Sequence, residues 1–335
     1  MPWKGIKDPY RIWLSEIILQ QTRVEQGLAY YNRFIEAFPD VHALASAPEQ
    51  TVFKLWEGLG YYSRCKNLIA SARFISQESA GKFPSDYAGI AALKGVGPYT
   101  AAAISSFAFG LPHAVVDGNV LRVLARYFGI ATPVFSTEGK KEFFRLANEL
   151  IDRNNPAEFN QAIMDFGATV CKPRQPLCQQ CLLARDCRAF QEGLVNDLPV
   201  KNKAAAKRKR WLNYFVLKQG KHTFIRQRQA GDIWENLFEF YLHESSEAMS
   251  YEKLVETANS LLPGSSVQQI SEAYVQQLSH QEIASRFILV SLPADSLSID
   301  GYELVLEDDL PQYAFPRIIA RFLEKGFSRQ LGLNH

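Results

Sequence analysis

Four of the five cysteines fall in one stretch, CKPRQPLCQQCLLARDC, at Cys171, Cys178, Cys181 and Cys187. Thiolates crowded this closely repel one another unless a metal neutralises them. Structural zinc commonly uses two short-spaced pairs, and only Cys178 and Cys181 form one here. Four cysteines on one compact loop can also hold an iron–sulfur cube. Spacing alone leaves zinc and iron–sulfur both open. Cys65 stands apart and reads as a small buried hydrophobe.

A second chemical feature is a lone carboxylate in IWLSEIILQQ, residues 12–21. Asp8 as an N-cap and Pro9 in the first turn predict a helix, which places Glu16 on a face with Ile12, Trp13, Leu19 and Gln20. An acid among apolar neighbours has its pKa raised by burial and can hold a proton near neutral pH. The plainer reading is a buried acid hydrogen-bonded for structure alone.

Two further stretches supply polar groups at helix starts. In LKGVGPYTAAAI, residues 93–104, one helix ends before Gly95 and the next begins at Pro98. Gly95, Val96 and Gly97 then form a tight turn whose backbone N–H groups suit a phosphate without any basic side chain. An ordinary helix–helix turn is the alternative, but Leu93, Ala101 and Ile104 complete a helix-hairpin-helix pattern. In VVDGNVLRVLARYF, Asp117 and Asn119 precede an amphipathic helix, where either can cap it. Capping and chemistry are compatible, because a helix N-terminus favours the ionised carboxylate.

The chain that must position these groups has 335 residues, enough for two domains with separate cores. Its 47% hydrophobic and 21% charged residues are those of a globular protein. A net charge of +2 requires any nucleic-acid surface to be local. The start, MPWKGIKDPYR, carries no signal core. No residue from Gly95 to Val116 is charged, but Pro98, Gly110, Pro112 and His113 interrupt that run and argue against a membrane span. Few cysteines and no signal peptide indicate a reducing cytoplasm.

To about residue 190 the sequence reads as successive helices, among them GLAYYNRFIEAF, EQTVFKLWEGLG, KNLIASARFISQES and KKEFFRLANELIDR. KNKAAAKRKR, residues 201–210, has six basic residues and no acidic one, and reads as a linker or as a solvated loop. Beyond it, WLNYFVLKQGKHTFIRQR predicts a hairpin turning near Gln219 and Gly220. WENLFEFYL and RFILVSL predict further strands, and SYEKLVETANSLL a helix between them, giving a mixed sheet with helices packed on it.

Together, WLSEIILQQTRV, WEGLGYYSR, LKGVGPYTAAA, VDGNVLRVLAR and the C-x6-C-x2-C-x5-C loop resemble the adenine-specific mismatch DNA glycosylases of the helix-hairpin-helix superfamily. The likeness covers nearly all of residues 2–190. It implies a multi-domain protein: an all-α helix-hairpin-helix glycosylase fold followed by an α+β Nudix-like domain. The implied boundaries are 1–195 for the helical domain (hairpin 93–104, cluster loop 171–187), 196–210 for a basic linker, and 211–335 for the second domain. The resemblance also implies a 4Fe-4S cluster on Cys171, Cys178, Cys181 and Cys187.

By the same likeness Glu16 is the general acid that protonates an extruded adenine, and Asp117 the carboxylate that meets the developing oxocarbenium ion. Tyr99 and Asn119 match residues supporting that site. Gln21, Leu59 and Tyr61 match residues that fill or probe the duplex, with core packing the plain reading of the last two. Relatives that remove oxidised pyrimidines carry a Schiff-base lysine where this chain has Tyr99, and tyrosine forms none. The implied enzyme is therefore a pure glycosylase.

GDIWENLFEFYL and QQLSHQEI resemble the Nudix-like C-terminal domain of the same family, which examines 8-oxoguanine through a Ser-His pair matched by Ser279 and His280. An exposed serine and histidine at a strand end are the plain reading. The clustered glutamates of a Nudix hydrolase are absent. The family usually has a further helix before the PW element, inside which this chain begins, and Lys4 stands where arginine is common. The expected partner is duplex DNA with adenine opposite 8-oxoguanine or guanine, bound by a monomer at the bacterial nucleoid. The rivals are a bifunctional pyrimidine-lesion glycosylase and a non-catalytic DNA-binding protein; Tyr99 opposes the first, Glu16 with Asp117 the second.

Overall fold

A computed structural model of the chain describes residues 5–201, 207–293 and 298–325. Lys4 and residues 202–206 of the basic run fall outside the described residues. The rest forms two compact units. One contains the described residues up to Ala47 and from Lys66 to Lys201, and the other contains Pro48–Cys65 with Lys207 onward.

In chain order the helices are α1 (Pro9–Leu19), α2 (Val24–Ala37), α3 (Val41–Ser46), α4 (Glu49–Trp56), α5 (Ser63–Glu78) and α6 (Tyr87–Ala91). They continue with α7 (Pro98–Phe109), α8 (Gly118–Phe128), α9 (Thr137–Leu150), α10 (Pro156–Thr169) and α11 (Arg188–Gln191). Local chemistry sets their ends. Asp8 caps α1 by accepting from the Tyr10 N–H at 2.9 Å, and Pro9 supplies the first helical residue. Gly110 and Gly129 close α7 and α8 in the left-handed region. No helix among the described residues is long and apolar enough to cross a membrane.

Between α7 and α8 the chain is extended, and side chains rather than a sheet satisfy its backbone. Fully buried Asn160, on α10, donates to Ser106 Oγ (3.0 Å) and the His113 carbonyl (2.9 Å), and accepts from the Val115 N–H at 3.0 Å. Asn148 Oδ1 accepts from the Ala114 N–H at 3.1 Å. This segment delivers Asp117 to the start of α8.

The second unit is built on a mixed sheet of β1 (Arg208–Gln219), β2 (His222–Gln227), β3 (Phe238–Glu239), β4 (Tyr241–Ser245), β5 (Ser266–Ile270), β6 (Tyr274–Gln277), β7 (Gln281–Ser291) and β8 (Glu303–Leu306). β1 runs parallel to β7, with Tyr214 opposite Phe287 and Phe215 opposite Ile288, and antiparallel to β2 and β4. Helix α12 (Tyr251–Leu261) buries Leu254 and Ala258 against Phe215, Leu217 and Ile288. Helix α13 (Arg317–Glu324) stacks Phe322 on Phe287 from the other face, ring centroids 4.0 Å apart. The β1–β2 turn falls at Gln219–His222, as the sequence predicts.

Three expectations need correction. Residues 196–210 are not one linker: Arg126 Nε donates to the Leu198 carbonyl (3.0 Å) and Val134 N–H to that of Val200 (3.1 Å), while Arg208–Arg210 already belong to β1. Pro48–Cys65 does not group with the rest of 1–195, because Lys54 and Glu57 hydrogen-bond the backbone of Tyr313 and Phe315. WENLFEFYL is not a continuous strand. Trp234 and Asn236 take left-handed φ of 64° and 68°, so pairing begins only at Phe238.

Asn160→Ala should lower the stability of the helical unit by about 2–4 kcal/mol, because it orphans the Val115 N–H and the His113 carbonyl. Denaturant titration checks this. An unchanged midpoint would mean that other contacts hold the segment.

Candidate active site and cysteine cavity

Among the described residues of the helical unit, a cleft of about 1080 Å³ opens between α1, the 95–100 turn, the start of α8 and α10. Glu16, Gln21, Gly95, Gly97, Tyr99, Asp117 and Asn119 all line it. Residues as far apart in the sequence as Glu16 and Asn119 are thus gathered at one site.

Glu16 sits deep in the protein yet keeps part of its surface open to the cleft, so depth rather than complete enclosure desolvates it. Burial pushes its pKa up to about 7; the hydrogen bond with the Tyr99 side chain works against this, and the nearby Asp117 charge adds to it. Tyr99 is itself held well above the ordinary phenol range by burial and by the two carboxylates, so it remains a neutral donor.

Asp117 has a different environment. Its Oδ1 accepts from the backbone N–H groups of Asn119 and Val120, both at 2.8 Å, and its Oδ2 accepts from Asn119 Nδ2 at 2.7 Å. Three N–H donors at the start of α8 thus surround its two oxygens. The cleft therefore opposes two unlike carboxyl groups, one desolvated and one solvated by fixed N–H groups.

Behind Asn119 lies buried Arg122. Its Nη2 donates to Asn119 Oδ1 (2.8 Å) and the Gly167 carbonyl (2.6 Å), and its Nε to the Cys171 carbonyl (2.7 Å). α10 can approach this closely only because residue 167 is glycine: a Cβ there would stand 2.7 Å from Asn119 Cβ. The Asp117 carboxylate is thereby linked through two side chains to the first cysteine of the loop.

Cys171, Cys178, Cys181 and Cys187 line one cavity with apolar walls that include Val123, Phe166 and Phe190. Burial and the neighbouring thiols push the Cys178 pKa up. Arg126 Nη1 reaches Cys171 Sγ at 3.4 Å and the Lys172 carbonyl at 2.8 Å. Among the described residues, no three His, Cys, Asp or Glu side chains group closely enough to hold a metal ion.

The hairpin departs from expectation in one detail. Val96 is buried and its N–H is spent on the Leu93 carbonyl at 3.1 Å, so it has no amide to offer a phosphate. Gly95, at φ 80°, and Gly97 flank it and are exposed. Gln20, unassigned by the sequence, ties α1 to this turn through Thr100 Oγ1 (3.1 Å) and the Gly95 carbonyl (3.4 Å). Gln161 and Asp165 on α10, joined at 2.9 Å, are further cleft residues without a local signal.

Leu59 and Tyr61 belong to the other unit. Leu59 is buried, whereas Tyr61 is 43% exposed at a left-handed φ of 47°. Ser279 and His280 form the exposed bend between β6 and β7, with Ser279 Oγ 3.1 Å from His280 Nδ1.

Residues 14–153 match the HhH-GPD superfamily of base excision DNA repair proteins, and residues 213–325 match the NUDIX domain. A solved thermostable thymine-DNA glycosylase is similar at 31% identity and TM-score 0.54, covering 57% of this chain and 88% of that one. An endonuclease III–DNA complex, at 22% identity and TM-score 0.50, covers 56% and 87% and shares the fold. The adenine DNA glycosylase of Mus musculus is 42% identical over 211 residues, 59% of this chain and 41% of the relative. That of Buchnera aphidicola subsp. Baizongia pistaciae is 36% identical over 243 residues, 72% of this chain and 68% of the relative. With its helical half, its second domain and most of a curated relative matched, the chain belongs to the adenine DNA glycosylases.

Proposed function

We propose that this base excision repair glycosylase hydrolyses the N-glycosidic bond of adenine opposite 8-oxoguanine, or opposite guanine, in duplex DNA of the bacterial cytoplasm, and acts as a monomer. The observation that carries the chemistry is the pairing of a carboxyl group near pKa 7 with an unlike carboxylate across one cleft.

Adenine is a poor leaving group until its ring is protonated. With the base extruded into the cleft, Glu16 delivers that proton, and Tyr99 orients the Glu16 carboxyl. Asp117, fixed by the N–H groups at the start of α8, faces the sugar as positive charge develops and stabilises or traps it while water completes hydrolysis. Asn119 holds Asp117 in that orientation. Tyrosine at position 99 offers no Schiff-base amine, so the product is an intact strand with an abasic site. Gly95 and Gly97 at the start of α7 receive a phosphate, and Gln21 and Tyr61 probe the duplex, with Leu59 supporting the Tyr61 loop from the core.

The four cysteines, gathered on one cavity, would hold the 4Fe-4S cluster that the family resemblance implies. When bound, the cluster neutralises the thiolates and ties the 171–187 loop into one body, against which Arg122 and Arg126 brace α8. Purified protein should show broad visible absorbance and about four irons per chain. Stoichiometric zinc without iron in anaerobically prepared protein would overturn this.

A general acid must carry its proton before giving it away. Glu16 is protonated below its pKa, so single-turnover excision should fall as pH rises through about 7. Glu16→Gln should bind duplex normally and excise at least about a hundredfold more slowly. Near-normal excision by that variant would remove Glu16 from the role, and strand cleavage without alkali would restore a lyase activity.

The preference for 8-oxoguanine is assigned to Ser279 and His280, exposed on a bend where a hydroxyl can meet the N7–H and C8 carbonyl of that base. Replacing both with alanine should weaken the preference over guanine several-fold, as expected for lost hydrogen bonds worth about 0.5–1.5 kcal/mol each. Equal loss on both substrates would make the bend structural.

A further inference from the structure

Tyr61 is an exposed aromatic on a backbone that must be imposed on it. Three of the four residues Gly58–Tyr61 take left-handed φ: Gly58 at 88°, Gly60 at 76° and Tyr61 at 47°. Glycine adopts this freely, whereas tyrosine does so only where its surroundings fix it.

Those surroundings have two sides. On the inner side buried Arg64 donates through Nη2 to the carbonyls of Gly60 (3.1 Å) and Leu59 (3.4 Å), and lies over the rings of Trp56 and Tyr61. Trp56 Nε1 also donates to the Gly60 carbonyl, at 3.1 Å. On the outer side is Glu57, the residue immediately before the loop. Its Oε1 accepts from the Phe315 N–H at 2.9 Å, and its Oε2 from Lys54 Nζ at 2.6 Å. Lys54 Nζ donates in turn to the Tyr313 carbonyl at 2.9 Å.

The far end of this clasp is rigid. The Ala314 carbonyl accepts from the Phe238 N–H at 2.8 Å, extending β3, and buried Phe315 stacks on Phe240 with ring centroids 5.8 Å apart. Glu57 thus joins the base of the Tyr61 loop to the sheet of the Nudix-like domain by a charge-assisted bond.

We propose that Glu57 is a positioning residue through which the Nudix-like domain sets the pose of Tyr61. The inference rests on the reading of Tyr61 as a probe of the duplex. It makes the domain that meets the opposite strand also hold the side chain that tests the base stack. Loss of the clasp detaches the base of the loop from the sheet, leaving Arg64 and Trp56 to hold the Gly60 carbonyl and letting the loop open more readily.

The test uses the full chain with Glu57→Ala, Glu57→Gln, Tyr61→Ala and the double variant Glu57→Ala/Tyr61→Ala. Limited chymotrypsin cleavage after Tyr61 or Tyr62 reads the clasp without any assumption about activity. It should accelerate about tenfold in Glu57→Ala through local opening. Glu57→Gln should stay near wild type, because its carbonyl oxygen still accepts from Phe315. Single-turnover excision of adenine opposite 8-oxoguanine should fall about tenfold in Glu57→Ala. The double variant should be no slower than Tyr61→Ala, since both changes remove one function. Unchanged proteolysis, or losses that multiply in the double variant, would overturn the proposal. If Glu57→Ala does not fold, Lys54→Met, which removes the ammonium shared by Glu57 and the Tyr313 carbonyl but leaves the Glu57–Phe315 bond, carries the same tests with a smaller expected effect. A wild type that excises no adenine would overturn the functional reading instead, leaving proteolysis to decide the clasp.

Discussion

A carboxyl group desolvated inside a protein resists ionisation, and the rest of the cleft is organised around that constraint on Glu16. Left alone, such a group would be an unpaired buried acid. Tyr99 gives it a hydrogen-bond partner without giving it a counter-charge, which would drive off the proton. Asp117 stands on the other side with the opposite arrangement: two backbone N–H groups and an amide donor where Glu16 has apolar side chains. The two groups are solvated in unlike ways within one cleft, and burial raises the proton affinity of Glu16.

Helix α8 carries that difference into the scaffold. Its N-terminus is capped by Asp117, its second turn presents Arg122 to Asn119 and the Cys171 carbonyl, and its third presents Arg126 to the Cys171 sulfur and to the carbonyls of Lys172 and Leu198. The cysteine loop therefore does not need to touch the cleft to matter there. It supplies acceptors for two buried guanidinium groups whose removal would leave them uncompensated. Gly167 is the complementary device on α10, allowing the close approach that brings a carbonyl to Arg122.

What the sequence discloses and what it conceals divides along the distance between partners. Asp8, Pro9 and Asp117 act on backbone two or three residues away, so helix starts and caps are legible. Glu16 is legible because one helical turn shows its apolar neighbours. Asn160, Gln20 and Arg126 find their partners 45 to 80 residues away, and nothing near them in the chain announces those bonds. Pro48–Cys65 looks like one more helical segment of the first domain, yet it groups with the second unit and bonds the backbone of Tyr313 and Phe315. Val96 fits the hairpin pattern, yet its N–H is consumed by the turn that the pattern makes. The basic run conceals its boundaries for a different reason: charge marks solvent exposure and is silent about where β1 begins.

The chemistry proposed for the cleft depends on the proton affinity of one side chain, and that can be measured directly. Infrared titration of the full chain should contain a protonated-carboxyl band that disappears in Glu16→Gln and bleaches in the wild type with a midpoint near pH 7. Tyr99→Phe, which removes the donor that favours the ionised form, should move the midpoint upward. A Glu16 band that titrates at the ordinary carboxylate value of 4.5 would contradict the account, because Glu16 would then hold no proton to deliver at neutral pH.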